Sequence, residues 1–503
     1  MKAKFVPTQS LLAICLFGFS LLLLAGCANE YSEDVVYKVR QDPLFPANKV
    51  PTKVYLYPDQ PGQLPLRNVA MIPKSPPYAK LDPKTDRKLI IDPNTLSADH
   101  REQIKTTLDG MFGSPQEPLV IIPGTSNEDR LKLKLDPQTL ARGSEVYRGQ
   151  CLQCHGVTGD GRGYSAPWVN PHPRDYRLGL YKFQSTDQTG GEKKKPLRAD
   201  LYRTLYEGVE GTSMPAFNLL PEEDLDALVS YVIHLSIRGE SEATLIRQLV
   251  QNSEETKKMK NKEVDDFLKT LAEGVFSNWV NSQSQLIKIG PYPLDKGTKE
   301  TERAYHTRMK ASILRGQALF TNNPKFLTEY AVFTDDPKLL MKKISDLKGE
   351  LYYSKKERAE NKDLTDEDKK LTMAKKYEED WKKNLSGLTT VYSSLAKDHY
   401  DDVMKALAKR ANCVECHVDY GRQGEWKFDE WGTLVKPRNI TRGNFRGGRR
   451  PVDVYYRIHS GINGSNMTQK GDVLHSNEIW DLVNFVQAAP YEGMRKSFGI
   501  NLK

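Results

Sequence analysis

Apolar and polar positions alternate in character along this chain. Leu11 to Ala25 is an almost continuous apolar run, preceded by Lys2 and Lys4. It is shorter than the roughly 20 residues a helix needs to span a bilayer. A basic start, an apolar run and small residues after it describe a secretory signal. Between Pro43 and Pro93 there are eleven prolines and little apolar period, so this stretch cannot build a core and should run extended. A helix follows: Ser97 can cap it, Ile104, Leu108, Met111 and Phe112 form its stripe, and Gly113 then Pro115 stop it. Helical periods recur beyond it. They mark a helix containing Gly143 and Tyr147, the stretch Leu225 to Val232, and two amphipathic helices between 241 and about 290 (Leu245, Ile246, Leu249, Val250; then Phe267, Leu268, Leu271, Val275, Trp279). Leu340, Ile344, Leu347 and Leu351 face Ala374, Tyr377, Trp381, Leu385 and Leu388 in a charged hairpin, and the last helix covers Ile479 to Val486. The predicted fold class is all-α.

At 503 residues, 38% hydrophobic and 28% charged, the chain has room for two or three domains and reads as soluble beyond its first segment. Cysteine usage narrows the chemistry. Cys15 lies in the signal and Cys27 ends it; the other four form two pairs of one spacing, Cys151 with Cys154 and Cys413 with Cys416. Each pair is followed by a histidine, giving C-x-x-C-H at 151–155 and 413–417, the haem c attachment pattern. Cysteines three apart on a helical turn project to one side, where they can form thioethers with the haem vinyl groups, and the next histidine (His155, His417) sits under the iron. A four-cysteine zinc site or a redox-active dithiol is the competing reading. The separation of the pairs and the histidine on each favour two covalently bound haem c groups.

A second pattern follows each motif. Pro173-Arg174-Asp175-Tyr176 lines up with Pro437-Arg438-Asn439-Ile440. Asp200-Leu201-Tyr202-Arg203 precedes Gly208, Gly211 and Met214, as Asp453-Val454-Tyr455-Tyr456 precedes Gly461, Gly464 and Met467 at the same offsets. Leu225–Val232 then matches Ile479–Val486 in character. This is an internal duplication, and it resembles the class I cytochrome c domain twice over, across about half of the chain. The resemblance implies Met214 and Met467 as sixth iron ligands, a thioether raising the reduction potential. His459 or His475 would replace Met467 in a bis-histidine site. It further implies that the Pro173 (or Pro171) and Pro437 carbonyls orient the ligand histidines, and that Arg174 and Arg438 meet haem propionates. His172 and His234 read as a loop residue and a helix residue. Gly143 and Tyr147 would let the first helix cross the last one closely, with Tyr231 as the contact.

Leu24-Ala25-Gly26-Cys27 resembles the bacterial lipobox, which implies lipidation of Cys27; the alternative is an uncleaved anchor. Both place the protein outside the cytoplasm, at a bacterial membrane on the periplasmic side. The expected organisation is a lipoprotein signal peptide (1–26), an extended arm (27–135), a first cytochrome domain (136–240), a helical linker (241–312) and a second cytochrome domain (313–503). In the first domain the haem cysteine follows Gly143 by 8 residues; in the second, Cys413 follows Gly316 by 97. An insertion at about 325–405 accounts for the difference, unless Gly316 is coincidental and Val403–Ala411 is the first helix.

Formal net charge is +9, and between Lys405 and Arg450 eleven basic residues meet five acidic ones, a field suited to an acidic redox partner. These features predict electron transfer between partner proteins, in or beside a respiratory complex with integral membrane subunits. Nucleic acid and small-molecule substrates are not expected. The alternative is a haem enzyme, a peroxidase or reductase, with one open iron.

Overall fold

A computed structural model describes residues 35–44, 91–190, 193–251, 258–289, 292, 295–297, 299–321, 413–424, 427–431 and 433–502. The signal and Cys27, the proline-rich stretch 45–90, the hairpin and the Val403–Ala411 alternative lie outside them. The fold is helical. Among the described residues its one ladder is a two-residue antiparallel pair, β1 (Lys427–Phe428) with β2 (Leu434–Val435).

The helices of the first half are α1 (Ala98–Phe112), α2 (Asn127–Lys132), α3 (Pro137–Gln150), α4 (Leu152–His155), α5 (Arg198–Glu207), α6 (Glu222–Gln251) and α7 (Asn261–Ser282), and all but the exposed α2 contribute to its core. Local chemistry sets their starts: the Ser97 hydroxyl accepts from the His100 amide at 3.1 Å, and Asp136 caps α3 with Pro137 at its first position. The crossing of α3 over α6 is made at Gly143, where an added Cβ would overlap the Ala227 carbonyl. One turn on, Tyr147 packs on Tyr231 with ring centroids 5.2 Å apart.

The second core repeats this plan with α8 (Glu302–Thr321), α9 (Cys413–Cys416), α10 (Pro451–His459), α11 (Ser476–Ala488) and α12 (Glu492–Phe498). Gly316 meets the Asp481 carbonyl as Gly143 meets that of Ala227, and Phe320 lies 5.4 Å from Phe485 where Tyr147 has Tyr231. The glycine–aromatic pair is therefore matched by position, although Gly316 stands far from its haem motif in sequence.

Two expectations change. The stretch assigned to an extended arm (27–135) is part of the first core wherever it is described. Tyr37 hydrogen-bonds Tyr231 at 2.8 Å, Leu44 and Ile91 exchange backbone bonds, and α1 packs on α7 through Thr107 to Asp265 at 2.7 Å. A low proline count and several apolar side chains in these pieces allow burial that the proline-rich stretch would not. The first domain also does not end near 236–240. Helix α6 runs unbroken through that point, since nothing stops it: Gly239 serves there as a close-approach site, its missing Cβ making room for the Arg177 backbone. The helix is buried on nearly all sides from Leu225 to Leu249 because α3, α7 and the 35–44 segment each cover a face.

A buried ionic cluster ties the 35–44 segment down. Asp42 receives Arg177 in a two-pronged pair at 2.8 and 3.0 Å and Arg40 at 2.6 Å. Burial alone would push its carboxyl up; the guanidiniums of Arg177, Arg40 and Arg162 override this and hold it well below the usual carboxylate range.

The two halves meet along a polar seam. Lys182 pairs with Asp429 at 2.9 Å, Lys193 with Glu430 at 2.6 Å, and Arg203 with Asp453. The Trp431 indole donates to the Asp175 carbonyl at 2.9 Å, and Ser460 to that of Thr186 at 2.8 Å. Among the described residues no helix is long and apolar enough to cross a membrane.

Two outcomes are expected from this packing. Gly143→Val and Gly316→Val should each destabilise the fold by about 1–3 kcal/mol through overpacking. Gly149→Ala, on the same helix with open space around it, should be neutral or gain about 0.5–1 kcal/mol; thermal melts compare the three. Asp42→Asn should cost about 3 kcal/mol at neutral pH by leaving buried arginines unpaired. A depressed folded pKa stabilises above the unfolded value of about 3.9. The gap between wild type and variant in denaturant titrations should therefore be full above that pH and close as pH falls below it.

Candidate haem site

Both C-x-x-C-H motifs fall on short helical turns, α4 and α9, at the end of the chain segment that follows α3 in the first half and at the first described residues after the gap in the second. Each motif histidine is held by a backbone carbonyl. His155 Nδ1 lies 3.1 Å from the Arg174 oxygen, and His417 Nδ1 lies 2.9 Å from that of Arg438. The acceptor is thus the residue after the expected proline: the Pro173 and Pro437 carbonyls do not make this bond. A proline fixes the preceding backbone in extended form, and the next residue's carbonyl is the one turned toward the ring. Nδ1 bonded to a carbonyl is the protonated nitrogen, which leaves the Nε2 lone pair for a metal. Burial, first, and the nearby Arg174 and His172 push the His155 ring down to about 4, so it stays neutral as a ligand must. Burial lowers His417 too.

Two glycines make these bonds possible. Gly421, at φ +83°, has no room for a Cβ beside the Arg438 carbonyl, and Gly161, at φ +70°, is in the same position against Pro173 and Arg174. Neither was legible as a site residue in the sequence, where each is one glycine among several in a loop.

The methionine loops are equally alike. Val209 donates to the Met214 carbonyl at 3.1 Å and Ile462 to that of Met467 at 2.9 Å. Thr212 Oγ1 accepts from the Met214 amide at 3.1 Å and Ser465 Oγ from the Met467 amide at 3.2 Å. Gly208 and Gly461 open the two loops in conformations that a side chain would strain. A loop of fixed shape, anchored to its own helix end, presents each methionine at the same height.

All of these groups face one continuous cavity of about 1570 Å³. His155, Met214, His417 and Met467 all line it, as do the four motif cysteines. Pockets for a single small molecule hold roughly 300–1,000 Å³, so this space exceeds what one such ligand fills. His459 and His475 do not line it: His459 stacks on Tyr455 and faces Gly471, and His475 begins α11. His172 does line it, with its Nε2 buried and without a hydrogen-bond partner among the described residues; a loop position before a proline carried no signal of this. His234 bonds the Phe112 carbonyl at 2.9 Å inside the first core. Arg174 and Arg438 both border the cavity, Arg174 lying flat on Trp431 at 3.6 Å.

The donor set fits haem c. Burial pushes the Cys151 thiol up to about 12 and the Cys413 thiol up to about 11, so neither would be the thiolate that a thiolate metal site needs. Among the described residues no three His, Cys, Asp or Glu side chains gather as a metal cluster.

Residues 138–232 match the family described as cytochrome c oxidase, cbb3-type, subunit III. That match covers the first haem motif, Met214 and the crossing of α3 with α6, and it supports a c-type cytochrome with covalently bound haem c. No curated protein matches the chain. Among solved structures it is similar to a chain of the Kuenenia stuttgartiensis reducing HAO-like protein complex, at 19% identity with a TM-score of 0.35, covering 73% of this chain and 98% of that one.

Gly421→Ala should displace the Arg438 carbonyl and cost at least about 1–2 kcal/mol for the left-handed backbone. In the loaded protein it should also change the spectrum and potential of a haem held by His417, which optical redox titration reads directly.

Proposed function

We propose that this protein is a dihaem electron-transfer cytochrome, exported and held at a bacterial membrane by a lipid on Cys27. The observation that carries the reading is the single cavity bordered by both C-x-x-C-H motifs and both methionine loops. Cys151, Cys154, His155 and Met214 would hold the first haem, and Cys413, Cys416, His417 and Met467 the second. Bound there, the haems supply one-electron chemistry at the iron, and the protein sets ligand orientation, burial and charge. A cavity bordered by both motifs would let this chain hold both cofactors in one chamber, as a relay between partners requires.

The two halves are two cytochrome c domains in this reading. The segment between α8 and α9 is an insertion that separates the first helix of the second domain from its haem motif, and the matched crossings at Gly143 and Gly316 support it. Two six-coordinate irons favour relay over catalysis. The basic surround of the second motif suits an acidic redox partner, and a respiratory complex with membrane subunits is the proposed setting.

The test is a haem count with a redox titration of the purified protein. Two haems per chain, near-infrared sulfur-to-iron bands and slow carbon monoxide binding are expected. Cys413→Ser with Cys416→Ser should leave one haem, and Met467→Ala should abolish one band and lower one potential. Rapid carbon monoxide binding with turnover of peroxide or nitrite would mean an enzyme instead.

A further inference from the structure

Three arginines converge on the seam between the halves. Arg174 belongs to the loop that holds His155, Arg438 to the loop that holds His417, and Arg446 to the Gly447-Gly448 turn that follows; all three border the cavity. Among the described residues lining that cavity, ten side chains are Lys or Arg and only Glu415 is acidic; Arg162, Lys182 and Arg422 are paired with Asp42, Asp429 and Asp419, and the rest leave an excess of positive charge that an anionic group would offset.

Nearby carboxylates do not supply it, because they are committed elsewhere. Asp429 holds Lys182, Asp453 holds Arg203 and Arg450, and Asp175 holds Arg177. The Arg174 guanidinium rests face-on against Trp431, a contact that leaves its in-plane N–H donors unspent. Arg446 is the most exacting case. Its Nε is buried without a hydrogen-bond partner among the described residues, and its Nη2 makes only a long 3.5 Å approach to the Gly211 carbonyl. Burial chiefly, with the nearby Arg438 and Arg174 adding to it, pushes it down to about 10.

The position of Arg446 is set by both halves. Arg457 donates to the Arg446 carbonyl and, at 2.6 Å, to that of Gly448. Gly447, at φ +77°, sits against the Phe183 ring with no room for a Cβ. A residue from the second half is thereby pinned to the wall of the first.

We infer that Arg174, Arg438 and Arg446 form one carboxylate-binding cluster shared by the two haems, on which a propionate from each is held. This rests on the dihaem reading. Guanidiniums bind carboxylates through charge-assisted, often two-pronged bonds. A carboxylate from each cofactor would satisfy the orphaned donors and relieve the repulsion among the three. Because the cluster is common property, its charge acts on both irons. Positive charge favours the less positive ferrous state, so both potentials are held up by the same residues.

The test is redox titration of the full-length loaded protein, with the haem count taken on the same samples. Arg446→Gln should lower both midpoints, and Arg446→Lys, which keeps the charge, should restore them in large part. Arg174→Gln provides the reciprocal case and should also lower both, which keeps the question open to decision if the Arg446→Gln protein does not fold. Arg449→Gln removes an exposed seam arginine already paired with Glu210 and should move neither. A shift confined to one midpoint in either variant, or no shift, would overturn the shared cluster while two haems are still counted. A count of one haem in the wild type would instead remove the dihaem reading beneath it.

Discussion

Each half of this protein depends on a helix crossing that only a glycine permits. At Gly143 and at Gly316 the backbones of the first and last helices come within van der Waals contact, and a Cβ at either position would occupy the space of a carbonyl oxygen on the opposite helix. The close approach sets where Tyr147 and Phe320 pack, and Val232, Phe320, Leu482 and Val486 from these helices form part of the cavity wall. Interiors this dense do not deform smoothly, so the crossing fixes the wall, and the wall fixes where the histidine and methionine loops can face one another.

Loop geometry then completes each site with the same devices. Left-handed glycines, Gly161 and Gly421, bring a backbone carbonyl to the ligand histidine, and others, Gly208 and Gly461, open the methionine loop. Hydroxyls at Thr212 and Ser465 brace those loops from inside. Backbone acceptors and short hydroxyls hold a ligand more rigidly than long side chains would, since less conformational freedom is lost in ordering them. That rigidity suits an electron carrier, whose iron should change charge without its surroundings rearranging.

The seam adds what neither half has alone. Trp431 reaches from the second half to bond the Asp175 carbonyl, beside the loop that holds His155, with Arg174 on its face and Gly464 of the Met467 loop close against the ring. Buried ion pairs across the seam are costly to desolvate and poor evidence of stability; their effect here is to fix the register of two sites that open into one chamber. The arginines that meet at that chamber would pair with whatever carboxylates are brought to it.

How much of this was legible beforehand follows from the range of each interaction. The motif cysteines and histidines, the duplicated glycine and methionine offsets and the helix over Ile104–Phe112 are all encoded by local spacing, because thioether attachment, turns and helical periodicity act over a few residues; the Gly143–Tyr147–Tyr231 contact came from the family resemblance. Spacing also indicated which segments correspond between the halves, even with Gly316 and Cys413 97 residues apart. Only the tertiary structure decided the rest. It turned the described pieces of the supposed arm into core, because Tyr37 and α1 find partners on α6 and α7 far along the chain. It moved the histidine's acceptor from proline to arginine, because a carbonyl's direction depends on φ and ψ rather than residue type. Above all it joined the two motifs into one cavity and gathered Arg174, Arg438 and Arg446 on its wall, since charges that meet across a seam leave no period or spacing in the sequence.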